Sequence, residues 1–77
     1  MTQGQLKEFK IAYNKLVLRH KKAEAYLNNN DIPMADREKY LPEFRKLLNN
    51  INKAIEDFNA NGIEMTADEI LEGFARP

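Results

Sequence analysis

From Leu6 to Leu27 the chain repeats a three-four alternation through Leu6, Phe9, Tyr13, Leu16, His20, Ala23 and Leu27, apolar at every position except His20. An α-helix returns a side chain to one face every third or fourth residue, so this spacing predicts an amphipathic helix held for three heptads. A second stretch does the same through Leu41, Phe44, Leu48, Ile51, Ile55 and Phe58, widened by Leu47 and Ala54. No segment alternates with period two over a useful length, and the chain is expected to be all-α.

Capping chemistry sets the boundaries. Thr2 with Gln5 three residues later is a capping box, and the run Asn28-Asn29-Asn30 offers residues that tolerate the left-handed conformation at a helix end, which predicts a first helix over about 3–28. Asp31 is a candidate cap for the second helix, with Pro33 in its first turn. Pro42 lacks the N–H that the carbonyl of Glu38 needs, so this helix is expected over about 33–61, kinked or broken at Pro42. Asn61-Gly62 ends it, because glycine takes a positive φ without steric penalty. Thr66 and Glu69 form a second capping box, with Met65 placed to staple against Ile70 and acidic residues in the first turn, where the helix dipole favours them. A third helix follows over about 67–75, with Ile70, Leu71 and Phe74 on one side.

Seventy-seven residues suffice for one small domain, and two long helices joined by a short polar turn predict an antiparallel two-helix hairpin, coiled-coil-like, plus the short C-terminal helix. Counting outward from the turn sets His20 opposite Phe44, Leu16 opposite Leu47 and Leu48, and Tyr13 opposite Ile51. A bare hairpin leaves the outer side of each seam wet. The third helix or a second copy completing a four-helix bundle is the expected cover.

The first helix also carries a second apolar line, Ile11, Leu18 and Ala25, spaced by seven and turned away from the main seam. A helix apolar on two sides is usually contacted on two sides. Either the third helix or part of the 29–41 segment packs there, or the line is a homodimer or partner interface.

Twelve Lys+Arg balance twelve Asp+Glu, which removes the overall positive charge that usually announces a nucleic-acid binder. The balance hides an asymmetry: residues 1–27 sum to +4 and residues 62–77 to −3. Lys15, Arg19 and Lys22 form one basic ridge, which is a solvated face, a surface complemented by the acidic third helix, or a phosphate-binding strip with Tyr26 beside it for stacking. A helix-turn-helix drawn through Gly62 fails on charge, since its reading helix would begin Thr66-Ala67-Asp68-Glu69.

Catalytic chemistry finds no foothold. There is no cysteine and no serine, His20 stands alone, and adjacent carboxylates such as Glu56-Asp57 point about 100° apart on a helix. Asn28, Asn30 and Asp31 suggest a calcium loop, but Ile32-Pro33 breaks the ligand spacing. A compact helical unit of this size leaves little room for a drug-sized pocket. No metal, cofactor or small-molecule substrate is expected, and His20 reads as a partly buried seam histidine with one hydrogen-bond partner.

The longest uninterrupted apolar run, Leu16-Val17-Leu18, is far too short to span a bilayer, and the N-terminus lacks the basic start and apolar stretch of a signal peptide, so a cytoplasmic location is expected. By subtraction, the sequence reads as a non-catalytic helical module that binds another protein or itself. The expected contact residues are Ile11, Leu18 and Ala25, framed by Lys15 and Lys22 with Tyr26 as an amphipathic anchor. The competing reading is a weak nucleic-acid binder using Lys15, Arg19, Lys21 and Lys22, and a third is a structural homo-oligomeric subunit.

Overall fold

The computed structural model describes residues 2–77. It contains α1 (Gln3–Leu27), α2 (Met34–Ala60) and α3 (Ala67–Glu72), in a body of 45 × 20 × 20 Å. The two long helices pack against each other, and α3 packs chiefly against α1.

The capping grammar is realised at three of the five ends where a signal was expected. Thr2 and Gln5 form the reciprocal capping box of α1, and Thr66 and Glu69 form that of α3. At the end of α2 the N–H of Gly62 donates to the carbonyl of Asn59 and that of Ile63 to Phe58, a Schellman motif with Gly62 at φ 78°. The motif turns Ile63 back onto the core beside Phe58.

The start of α2 departs from expectation. Pro33, not Asp31, is the N-cap, and no side chain caps the helix. The Asp31 N–H instead donates to Asn29 Oδ1 at 2.9 Å, a local turn that holds the connection between the helices. The asparagine run ends α1 without a left-handed residue: Asn28 stays right-handed at φ −91°, and its N–H still reaches the carbonyl of Glu24. Arg37 supplies the missing donor at that end, its Nη1 lying 3.3 Å from the carbonyl of Leu27. Across Pro42 the helix runs on unbroken, which decides for one continuous helix.

The seam of α1 is inward throughout. Tyr13 and Ala23 are buried, and Leu6, Phe9, Leu16, His20 and Leu27 are half-buried. On α2, Phe58 is fully buried, while Leu41 at the other end is exposed. The seam is thus tightest away from the turn, where four aromatic rings gather. Phe58 meets Phe9 edge-on at 4.8 Å, Tyr13 at 6.0 Å and Phe74 at 5.2 Å, and Tyr13 meets Phe74 at 5.8 Å. Edge-on and tilted pairs of this kind add about 0.5–1.5 kcal/mol each beyond the area they bury.

The third helix is shorter than its expected span over 67–75. Gly73, at φ 86°, closes it after Glu72, and the chain leaves in a direction that drops Phe74 into the core. Phe74 is therefore a core residue of the tail, not of the helix. Leu71 is left 66% exposed instead of sharing a face with Phe74.

Candidate functional site: the outer face of α1

α3 is fixed to α1 by two consecutive residues. The Tyr13 hydroxyl donates to the carbonyl of Ile70 at 2.7 Å. Asn14 accepts from the N–H of Phe74 at 2.6 Å and donates to its carbonyl at 2.9 Å. Lys21 pairs with Glu72, and the Lys10 ammonium lies 5.1 Å from the centre of the Phe74 ring. These contacts all lie on one flank of α1, so the acidic helix neutralises Lys21 and leaves the ridge of Lys15, Arg19 and Lys22 uncovered.

The second apolar line is uncovered as well. Leu18 is 54% exposed, Ile11 is 37% exposed, and Ala25 is exposed. Neither α3 nor the 29–41 segment packs on it, contrary to the first of the two alternatives. The reason is geometric: the hydrogen bonds of Tyr13 and Asn14 hold α3 to the side of the line rather than over it.

Around the line, Lys15, Arg19 and Lys22 are all exposed and, among the described residues, have no carboxylate within ion-pairing distance. Arg19 and Lys22 border a groove shared with Tyr40 and Leu47 of α2; the acidic residue lining it, Glu43, pairs instead with Lys46 at 3.5 Å. Tyr26 is drawn away from the line, its ring 5.1 Å from that of Tyr40, and it braces the turn end of the hairpin.

His20 takes the seam position expected of it, stacked on Phe44 at 5.2 Å. Stacking rather than a hydrogen bond holds it, since its Nδ1 is 3.7 Å from Glu24 Oε2, beyond hydrogen-bonding distance. Among the described residues no three His, Cys, Asp or Glu side chains come together as a metal site would require.

One concavity was not anticipated from the sequence. Because α3 is short and leans on α1, a groove of about 350 Å³ opens between α3 and α2, with Val17 and His20 from α1, Leu48 and Ile51 from α2, and Ile70 and Leu71 from α3 among its lining. Its walls are mainly apolar, and Lys21, Glu24 and Glu72 stand among its lining beside His20, with Lys21 and Glu72 paired to each other. The sequence signal for it was Leu71, two residues before the helix-ending Gly73.

No helix is long and apolar enough to cross a membrane, among the described residues. Compared with protein-family models, curated proteins and solved structures, the chain matches none.

Proposed function

We propose that this chain is a non-catalytic helical interaction module, working in the cytoplasm, that binds another protein or itself through the outer face of α1. The observation that carries this reading is Leu18, more than half exposed at the centre of an apolar line that neither of the other helices covers. An exposed leucine alone means little. A line of three apolar positions at heptad spacing, on a helix whose opposite face already makes the core, is the pattern of a helix contacted on two sides.

A pull-down from native extract with the parent protein and Leu18→Glu tests the reading. Leu18 is more than half exposed and outside the core cluster, so the variant is expected to keep its helicity and melting temperature while losing the captured protein. Capture that is identical with Leu18→Glu would remove the reading. Light scattering on a sizing column separates a partner from a second copy: a strict monomer at high micromolar concentration disposes of the homodimer.

Nucleic acid is the second reading, favoured by the unpaired ridge of Lys15, Arg19 and Lys22; Lys21, engaged by Glu72, is withdrawn from it. Binding of that kind would fall steeply with salt and on charge reversal of Arg19 and Lys22.

A further inference from the structure

We infer that the partner segment is an acidic amphipathic helix, which lies along α1 over Ile11, Leu18 and Ala25 with its carboxylates on Lys15, Arg19 and Lys22. The inference rests on the reading of this face as a protein-docking surface and names the chemistry of what docks.

The molecule contains its own template for such a contact. α3 is a short helix with Asp68, Glu69 and Glu72, and it lies beside α1 with Glu72 on Lys21 and Phe74 beneath the Lys10 ammonium. At 100° per residue, Lys10 and Lys21 stand about 60–80° to one side of the Ile11–Leu18–Ala25 line, and Lys15, Lys22 and Arg19 about 40–100° to the other. One flank of the line is thus occupied by an acidic helix. The opposite flank presents the same kind of basic border, edged by the groove with α2 and, among the described residues, paired to no carboxylate.

Charge also decides against the other occupants. A second copy docked on this face in parallel register brings opposite flanks together and sets Lys22 against Lys21 of that copy. Antiparallel register about Leu18 brings like flanks together and sets Lys15 beside Lys22 of that copy. Like charges face each other either way, and the acidic side chain on this flank, Glu8, lies two turns N-terminal to Lys15. A phosphate backbone answers the lysines but would bring Ile11, Leu18 and Ala25 against charged oxygens. A lipid surface needs a broad apolar face, whereas this line is one side chain wide with lysines on both borders. Its seven-residue repeat, about 10 Å per step, matches the apolar seam of a second helix.

The test is selection from a displayed library of 21-residue helices with leucine at heptad positions and Glu, Gln or Lys randomised at the flanking positions. Glu is expected to be enriched at the flanks. The selected peptide should bind at least 10-fold more tightly than its Glu→Gln version and than a scrambled peptide of the same composition. Amide shifts should concentrate on residues 11–25 of α1, and Lys15→Glu/Lys22→Glu should weaken binding at least 10-fold with the circular dichroism of the protein unchanged.

Enrichment of Gln or Lys, with shifts on the same face, overturns the acidic assignment and leaves the docking surface standing. Equal binding of the scrambled peptide, of phosphatidylserine vesicles or of a single-stranded oligonucleotide overturns the helix and makes the face a reader of general negative charge. Selection of no peptide that shifts the amides of Ile11, Leu18 and Ala25 overturns the inference, and with capture insensitive to Leu18→Glu it also ends the reading on which the inference rests.

Discussion

The side-chain amide of Asn14 closes a ring of two hydrogen bonds with the backbone of Phe74, accepting from its N–H at 2.6 Å and donating to its carbonyl at 2.9 Å. Sixty residues of sequence separate the two, and the ring fixes where the C-terminal tail crosses α1. With the tail so placed, the Phe74 ring enters the aromatic cluster and α3 is confined to one flank of α1. The apolar line on the outer face of that helix stays open as a result.

Replacing Asn14 by Ala leaves both backbone groups of Phe74 without their partner, and stability is expected to fall by about 1–3 kcal/mol in urea denaturation. Gly73→Ala should be at least as damaging: the residue sits at φ 86°, and an added Cβ would lie 2.5 Å from Asn14 Oδ1. The two changes share that clash, so the double variant is expected to lose less than the sum of the single losses. Strict additivity would show that Asn14 does not confine Gly73.

Tyr13 is 1% exposed, and burial raises the pKa of its hydroxyl above the usual tyrosine value near 10. The folded chain therefore holds this proton to a higher pH than the unfolded chain does. Its contribution to stability is fully present below pH 10 and is lost progressively as pH rises from there through the folded-state pKa. Melting temperature followed from pH 8 to 11.5 should fall more steeply in the parent than in Tyr13→Phe. At neutral pH the variant should be about 0.5–1.5 kcal/mol less stable, through loss of the hydrogen bond to Ile70.

Phe58 is fully buried and meets three of the other aromatic rings at its level of the core. Truncation to Ala is expected to remove about 3–5 kcal/mol, a large share of the total for a domain this small. Thermal unfolding monitored at 222 nm should lose its cooperative transition or shift it far downward. Leu41→Ala, at the loose end of the seam, should lower stability much less.

Pro42 sits inside a continuous helix, so restoring an N–H there lets the carbonyl of Glu38 be paired. Pro42→Ala gains about 3 kcal/mol in helix preference and gives back about 0.4–1 kcal/mol through the freer unfolded chain. A net rise in stability of about 2 kcal/mol is expected in denaturant titration. No change would mean that the packing of α2 on α1 depends on the shape the proline imposes.

The two long helices, their antiparallel pairing and the capping boxes at Thr2 and Thr66 were legible in the residues, because each is set by interactions within one turn or by a period of three to four. His20 opposite Phe44 followed from counting back from the turn, and the structure stacks these rings. The N-cap of α2 was misread because Asp31 offers good capping chemistry but is held in a turn by Asn29.

What the amino-acid order determined by itself was local: which stretches coil, which face of each is apolar, and where glycine ends a helix. What tertiary structure alone decided was the placement of α3. That placement depends on Tyr13 and Asn14, two polar groups in the middle of α1 whose partners lie 57 and 60 residues away and carry no periodic signal. Side-chain hydrogen bonds to distant backbone have no signature in spacing, because any carbonyl or N–H can serve. The open line of Ile11, Leu18 and Ala25 could be read as apolar from its order, but its exposure was settled only when those two residues drew the third helix to one side.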